Sequence, residues 1–235
     1  MGESESELDA SEEEVTVLYL FDIDGTLLHA HGSGRGAFDA VFEQQHGIAR
    51  ASDGIRYGGK TDPALIAELY QARLGRSPTM EEIAAFLEGY LPLLRSRLSE
   101  QGVQVLDGVV PTLAHLASQP AVTLGVATGN VRAGADAKLA AGKLDMWFVL
   151  GGYGCDSHVR AELVARAIAR GRERATVTEV VVVGDTIHDI AAARACGATV
   201  CAVATGADPA ERLAAADAVF GSMTELPAWH ARRFG

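Results

Sequence analysis

Short apolar runs alternate with helical segments over most of this 235-residue chain, and this alternation constrains the fold more than any other feature. The runs are almost continuous in apolar residues, which is typical of strands that are buried on both faces. Strands that alternate with helices form parallel βαβ units. We therefore predict an α/β fold with a doubly wound, Rossmann-like parallel sheet. Its predicted strands are residues 15–21, 122–127, 147–150, 180–183 and 199–203, with a last edge strand at 218–220.

Helical segments separate these strands. The loop at residues 151–154 is rich in glycine and follows the third predicted strand. The predicted helices are residues 109–117, 132–141, 159–170, 187–195 and 209–215.

One segment interrupts the alternation. Residues 29–100 contain no strong strand, so we predict an all-helical insert after the first strand, within a core made of residues 15–28 and 101–235. Thr79 and Glu82 match a capping box, which marks the start of a helix, and Pro92 is expected to kink or split that helix. The predicted helices of the insert are residues 34–45, 63–73 and 79–99.

The net charge of −11 is spread unevenly. Residues 1–14 carry seven acidic side chains and no basic one, so we predict a disordered acidic tail. The rest of the chain is mildly acidic, which argues against a nucleic-acid partner. There is no apolar run near 18 residues and no leader sequence, and the three cysteines form no CxxC pair. We expect a soluble, cytoplasmic protein without a membrane partner, either a monomer or a weak homodimer.

Two aspartates directly follow the first predicted strand, in the sequence Asp22-Ile23-Asp24-Gly25-Thr26. In extended backbone, residues two apart point to the same side, so Asp22 and Asp24 should project together beyond the strand end. Asp-Gly is also a common turn pair, but a turn alone does not explain the earlier aspartate. Two adjacent carboxylates repel each other and raise each other's pKa unless a cation lies between them. The pair therefore favours either a metal site or a division of roles, with one aspartate as nucleophile and the other as general acid.

A second pair of aspartates follows the strand at residues 180–183. Asp185 lies at the strand end and Asp189 one helical turn later, although a capping role for Asp185 alone would be the simpler reading. Parallel strands place their carboxyl ends at one sheet edge, so these side chains should meet Asp22 and Asp24. Such an oxygen-rich cluster suits Mg²⁺, a hard cation.

Two further signals are weaker when taken alone. Thr128, Gly129 and Asn130 follow a strand and precede a helix, where a hydroxyl and free N–H groups can hold an anion. Arg160 opens the helix after the glycine-rich loop and could balance the carboxylates when a phosphate approaches.

These four segments, in this order, resemble the haloacid dehalogenase superfamily. The resemblance rests on DxDGT at residues 22–26 and on GDTxxD at residues 184–189, and it covers nearly the whole chain beyond residue 14. The helical insert is similar to the C1-type cap of that family. The sequence GGKTDP at residues 58–63 resembles a cap segment of phosphoglycolate-phosphatase-like members.

The resemblance implies a role for each motif residue. Asp22 would attack phosphorus and form an aspartyl phosphate, and Asp24 would act as acid and then base. Thr128 and Arg160 would bind the phosphoryl group. The implied metal ligands of Mg²⁺ are Asp22, Asp24 through its carbonyl, Asp185 and Asp189, and the residues expected near substrate are Gly25, Thr26, Gly129 and Asn130.

The third motif differs from the family, which usually has a lysine where Arg160 is the best candidate. Lys138 and Lys143 are less suitable, because they fall in or just after the preceding helix. In the cap, Lys60 is the candidate that would meet an anionic group of the substrate, such as a carboxylate; Arg35 and Arg56 are weaker candidates, and solvent exposure would explain Lys60 equally well.

Several functions fit these motifs. The resemblance favours a magnesium-dependent phosphatase that acts on a small phosphorylated metabolite. A phosphomutase of the β-phosphoglucomutase type is the main alternative. A haloacid dehalogenase needs no acid such as Asp24, and a phosphonatase needs a cap lysine, for which only Lys60 is available. A non-catalytic binding protein is the least expected, because the motif carboxylates and Thr128 are all present.

Overall fold

A six-stranded parallel sheet forms the core of the computed structural model, which describes residues 15–235. The strands are β1 (Val17–Phe21), β2 (Leu28–His29), β3 (Gln104–Val105), β4 (Val122–Ala127), β5 (Leu150–Gly152), β6 (Glu179–Gly184), β7 (Thr199–Val203) and β8 (Ala218–Phe220). The large sheet has the order β5-β4-β1-β6-β7-β8, while β2 and β3 form a separate antiparallel pair. The predicted doubly wound parallel sheet is confirmed. The tail predicted at residues 1–14 lies outside the described residues.

Helices cover both faces of this sheet and also form a separate group between β2 and β3. They are α1 (Ser33–His46), α2 (Asp62–Leu74), α3 (Met80–Gln101), α4 (Val109–Ala117), α5 (Arg132–Ala141), α6 (Arg160–Arg172), α7 (Ile187–Ala195) and α8 (Leu226–Phe234). No helix among residues 15–235 is both long and apolar enough to cross a membrane.

Strand β1 occupies the centre of the sheet because all five of its side chains are apolar and buried. Alternate residues enter different cores: Tyr19 and Phe21 pack in one hydrophobic cluster, and Leu18 and Leu20 in the other. Phe21 pairs with Val126 of β4 and with Val183 of β6. The residues that follow these three strands therefore lie side by side at one edge of the sheet.

The helices α1 and α2 pack on α3, and α3 packs on α5 of the core; apolar residues of both parts join in one hydrophobic cluster. Helix α3 begins at the capping box, in which the Thr79 hydroxyl accepts from the Glu82 N–H and the Glu82 carboxylate accepts from the Thr79 N–H. It continues through Pro92 and is not split there. Buried side chains on both sides of the proline, including Tyr90 and Leu94, hold the helix in place despite the missing N–H.

Three local predictions differ from the structure. The strand predicted at residues 147–150 is Leu150–Gly152, because Asp145–Trp147 forms a 3-10 turn. The glycines there belong to the strand: a Cβ on Gly152 would lie 1.9 Å from the Leu163 carbonyl oxygen, so only glycine permits helix α6 to pack this closely. The helix predicted at residues 209–215 is a 3-10 turn, Ala210–Leu213, and the terminal helix α8 was not predicted.

Candidate active site

The residues that follow β1, β4 and β6 meet beneath helices α1 to α3, around a cavity of about 420 Å³. The cavity is lined from the sheet edge by Asp22, Asp24, Thr128 and Arg160, and from the helical insert by Arg35, Phe38, Lys60 and Tyr90, among others. A cavity of this size is in the range of small-molecule sites.

Asp22 is held in place directly after β1. Its N–H donates to the Val183 carbonyl oxygen at 2.8 Å, and its side chain is buried. The Arg160 guanidinium lies 3.1 Å from the Asp22 carboxylate. Burial raises the pKa of Asp22 to about 6; Arg160 opposes this shift, whereas Asp189 and Asp24 add to it.

Asp24 faces a different group of residues. Its Oδ2 accepts from the Lys138 ammonium at 2.6 Å and from the Asn130 amide at 2.8 Å. Partial removal from water acts to raise the pKa of Asp24, but the charge of Lys138 and these two hydrogen bonds outweigh it and hold the pKa below its ordinary value. The carboxylate is therefore oriented, and its environment favours the ionised form over the protonated one.

Gly25 and Thr26 join the first motif to Asp185. The Thr26 hydroxyl donates to Asp185 Oδ1 at 3.2 Å. Gly25 has a φ of 84°, and a Cβ there would lie 2.7 Å from Asp185 Oδ2, so both the turn and the close approach require glycine. Gly25 and Thr26 thus support the Asp185 carboxylate.

Asp189 is buried at the start of α7 and both of its carboxylate oxygens have partners. Oδ2 accepts from the Thr186 hydroxyl and N–H, which forms a capping box, and Oδ1 accepts from Arg160. One guanidinium therefore bridges Asp189 and Asp22. The planar, forked donors of arginine suit such a bridge better than a lysine ammonium does.

Three carboxylates form the centre of the site. One oxygen from each of Asp22, Asp185 and Asp189 lies within 4.8 Å of the others, and all three residues are buried. Burial raises the pKa of Asp185 to about 8, and Asp22 and Asp189 raise it further. Arg160 is the one cation paired with this cluster among the described residues. Three buried acids against one base fit an additional divalent cation, and their oxygen donors match the preference of Mg²⁺.

The loop after β4 carries the predicted anion cradle. The Thr128 side chain is fully buried, and its hydroxyl accepts from the Asn130 amide at 2.8 Å. Asn130 in turn donates to Asp24 and accepts from Lys138 through Oδ1 at 2.7 Å. Thr128, Asn130 and Asp24 are therefore joined in one polar network at the sheet edge.

The segment that precedes α2 packs directly on this loop. The Asp62 N–H donates to the Gly129 carbonyl oxygen at 2.8 Å, and Asp62 Oδ2 accepts from the Val131 N–H at 2.8 Å. A Cβ on Gly129 would lie 2.1 Å from the Lys60 carbonyl oxygen. The segment before α2 of the helical insert thus packs against the loop that contains Thr128. This close contact requires glycine at position 129.

Among the cap candidates, the cations already have partners. The Lys60 ammonium pairs with the Glu68 carboxylate. Arg35 donates to the carbonyl oxygens of Ser52 and Ile55 and stacks on Tyr57. Arg56 is exposed beside Asp208, in a neighbouring groove and not in the cavity.

Several side chains that line the cavity are not among the site residues predicted from the sequence, and Lys138, Asp62 and Tyr90 are three of them. Lys138 was judged unsuitable for the third motif, and it contacts Asp24 instead of Asp22. Asp62 and Tyr90 line the cavity from α2 and α3. Asp62 belongs to the GGKTDP segment, but as an acid at a helix start it was not taken as a site residue, and Tyr90 falls at core spacing.

Comparison with known proteins agrees with this geometry. The family described as haloacid dehalogenase-like hydrolase matches residues 17–197, which is most of the chain. The chain belongs to the haloacid dehalogenase-like hydrolases. The resemblance drawn from the two aspartate motifs, and with it the prediction of a hydrolytic enzyme, is confirmed.

Individual relatives of this haloacid dehalogenase-like hydrolase have related descriptions. It is 30% identical over 210 residues to "Probable phosphatase IndB" of Dickeya dadantii, an alignment that covers 85% of this chain and 86% of that protein. A predicted phosphatase from Clostridium acetobutylicum has a similar structure, with a TM-score of 0.70, 18% identity, and coverage of 93% of this chain and 99% of that one. The structure of a "Putative beta-phosphoglucomutase" from Bacteroides vulgatus gives a TM-score of 0.68 at 20% identity, with coverage of 93% and 89%. The two structures show that the fold is shared.

Proposed function

We propose that this protein is a magnesium-dependent phosphatase that hydrolyses a small phosphorylated metabolite through a phosphoryl group carried on Asp22. The observation that carries the proposal is the environment of the Asp22 carboxylate. It faces the cavity, lies 3.1 Å from the Arg160 guanidinium and shares a buried cluster with Asp185 and Asp189. A carboxylate beside cationic groups is suited to attack a phosphoryl group, because phosphoryl transfer depends mainly on positioning and charge stabilisation.

In the first step, an oxygen of Asp22 forms a bond to phosphorus while the bond to the leaving oxygen breaks. The leaving oxygen keeps the electron pair and receives a proton from the protonated form of Asp24, which releases an alcohol and leaves Asp24 ionised for the second step. Arg160 and the Thr128 hydroxyl, both of which line the cavity, would donate to the phosphoryl oxygens.

In the second step, water attacks the phosphorus of the aspartyl phosphate and the bond to the Asp22 oxygen breaks. Asp24 takes the proton from the water, so that inorganic phosphate leaves and both carboxylates return to their starting states. The Lys138 ammonium supports this step, because it favours the ionised form of Asp24 that acts as base.

The carboxylates of Asp22, Asp185 and Asp189 would hold the metal, together with the Asp24 carbonyl that the family resemblance implies. When bound, Mg²⁺ neutralises negative charge on the phosphoryl group and on the surrounding acids. The Thr26 hydroxyl orients Asp185, and Thr186 orients Asp189, so the ligands are already arranged by hydrogen bonds.

Hydrolysis of p-nitrophenyl phosphate tests this proposal. We expect activity with Mg²⁺, none after chelation, and none in Asp22→Asn, whose circular dichroism should match that of the original protein. Asp136→Asn, an exposed carboxylate on α5, is the matched control and should be fully active. After acid quenching, mass spectrometry should find the phosphoryl group on a peptide that contains Asp22. Near-normal activity in Asp22→Asn would overturn the mechanism.

A phosphomutase is the second candidate, since the fold is shared with the Bacteroides vulgatus protein of that description. Incubation with β-glucose 1-phosphate separates the two functions, because a mutase forms glucose 6-phosphate whereas a phosphatase releases glucose and phosphate. Metal-independent release of chloride from 2-chloropropionate would instead indicate a dehalogenase.

A further inference from the structure

The part of the cavity beyond the phosphoryl site carries polar groups that the proposed mechanism does not use. Tyr90 is only 1% exposed as a residue, and its hydroxyl, which makes no hydrogen bond to any described residue, is open to the cavity and not sealed in the core. It lines the cavity, where T-shaped packing against Phe38 fixes the ring at a centroid distance of 4.7 Å. A hydroxyl that faces a cavity and has no protein partner is available to bond to a ligand.

The Tyr90 hydroxyl lies close to the acid–base residues. A Cβ built on Gly34 of α1 would be 3.7 Å from the Tyr90 hydroxyl and 3.8 Å from the Lys138 ammonium, which itself contacts Asp24. The Tyr90 hydroxyl is therefore adjacent to the side of the site where the alcohol leaves.

Asp62 adds a negative charge to the same cavity. Its Oδ2 accepts from the Val131 N–H, and no described cation lies within ion-pair distance of it. Burial raises the pKa of Asp62 to about 6, while the charge of Lys138 and the hydrogen bond from Val131 oppose this shift and favour the ionised carboxylate. A hydroxyl can donate to such a carboxylate, whereas a second carboxylate would be repelled by it.

The cations that could attract an anionic leaving group already donate to protein oxygens, although the partners of Arg35 are neutral carbonyls that leave its charge unbalanced. Glu68 balances Lys60, and Asp24 balances Lys138. Arg35 donates both terminal nitrogens to backbone carbonyls. A substrate carboxylate would have to replace one of these contacts and would still face Asp62.

We propose that the leaving group of the substrate is an uncharged, multiply hydroxylated alcohol, held by the Tyr90 hydroxyl and the Asp62 carboxylate. This inference rests on the proposed phosphatase function. The apolar side chains of Phe38 and Leu65 border the cavity and suit the C–H face of such a molecule. Lys60 then remains a structural partner of Glu68, in contrast to the substrate contact expected from the sequence.

Two pairs of substrates test the charge preference directly. Glycerol 3-phosphate and 3-phosphoglycerate, and likewise glucitol 6-phosphate and 6-phosphogluconate, differ by a hydroxymethyl group in place of a carboxylate. In the pair that is hydrolysed faster, we expect kcat/KM of the neutral member to be at least about 10-fold higher, because the acid meets Asp62 and every cavity cation among residues 15–235 already donates to a protein oxygen. Equal or faster hydrolysis of the acid would overturn the inference.

Variants identify the residues responsible. Asp62→Asn keeps an acceptor for the Val131 N–H and should reduce the neutral-to-acid ratio at least about 5-fold, because it removes the repulsion. Tyr90→Phe should raise KM for glucitol 6-phosphate more than KM for p-nitrophenyl phosphate, which has no alcohol hydroxyls. Tyr70→Phe is the control, since the Tyr70 hydroxyl bonds to His46 outside the cavity. An unchanged ratio in Asp62→Asn would contradict the assignment.

Failure of this inference can be told apart from failure of the proposed function. If p-nitrophenyl phosphate is hydrolysed through Asp22 but the acids are preferred, only the substrate class is wrong. If aryl phosphate is not hydrolysed at all, the phosphatase proposal itself fails, and this inference fails with it.

Discussion

The Lys138 ammonium lies 2.6 Å from the Asp24 carboxylate, although the two residues are 114 positions apart. Lys138 is buried on α5, and its second acceptor is the Asn130 amide oxygen. The pair fixes both the orientation and the charge of the residue that exchanges protons in the proposed mechanism. Lys138 is therefore a positioning residue for Asp24.

Replacing Lys138 by methionine should lower kcat by a factor of about 10–100, as is typical when a group that orients an active-site residue is lost. The apparent pKa that Asp24 contributes to the pH–rate profile should move upward, because the ammonium that lowers it is gone. Steady-state kinetics across pH measure both effects. Lys143→Met, an exposed lysine just after α5, should change neither. A fall in kcat with an unmoved pH profile would argue against this role.

Arg160 should tolerate lysine only in part. A lysine keeps the charge but cannot bridge Asp22 and Asp189 with two donors, so we expect a loss in kcat of about 10-fold in Arg160→Lys and of at least about 100-fold in Arg160→Met. Hydrolysis of p-nitrophenyl phosphate measures the loss. The control is Arg166→Lys on the exposed side of the same helix. Equal activity of Arg160→Lys and the original protein would mean that the bridge is dispensable.

Metal-free protein should lose stability as the pH rises from about 4 to about 8. Asp22 and Asp185 have folded pKa values of about 6 and about 8, above the ordinary value of 3.8, so the folded state binds more protons than the unfolded state in this range. Mg²⁺ replaces those protons, so it should raise Tm more at pH 8 than at pH 6.

Differential scanning calorimetry with Mg²⁺ or a chelator measures this effect. Asp185→Asn should remove most of the gain from Mg²⁺, whereas Asp136→Asn should keep it. A gain from Mg²⁺ that is the same at both pH values would contradict the link between the cluster and the metal.

The substitution Gly129→Ala should displace the segment before α2 from the loop that holds Thr128. Its Cβ would lie 2.1 Å from the Lys60 carbonyl oxygen, which is closer than atoms can approach, so the segment before α2 must move away. We expect kcat/KM to fall at least about 10-fold, since misplacement by about 1 Å can cost 100-fold, while the fold remains intact. Gly89→Ala in α3 has only ordinary contacts and should leave activity unchanged. Limited proteolysis should show faster cleavage in Gly129→Ala alone.

The fold was predictable because its signals are local. The buried strands consist of apolar residues in almost unbroken runs, and the capping box of α3 is readable from Thr79 and Glu82. The errors arose where a local signal has two meanings. Gly151 and Gly152 favour a loop by composition, yet they belong to strand β5, where neighbouring side chains crowd Gly151 and α6 packs too closely on Gly152 for any side chain.

The candidate site divides in the same way. Asp22 and Asp185 could be placed together because each directly follows a buried strand of one sheet. Lys138 and Tyr90 could not, because a lysine or a tyrosine within a helix is usually a surface or a core residue. Whether these side chains reach the cavity depends on how α5 and α3 pack. The hydrophobic periodicity of the sequence does not show that packing.

The amino-acid sequence by itself determined the sheet and the edge at which Asp22, Thr128 and Asp185 gather, since strand periodicity and the residues after each strand are properties of neighbouring positions. Only the tertiary structure decided that the Lys138 ammonium bonds to the Asp24 carboxylate. It also decided that the Asp62 carboxylate, 69 residues from Val131, accepts from the Val131 N–H beside the cavity. Those contacts exist because helices distant in the chain pack on the sheet, and their free energy depends on the arrangement of the whole core.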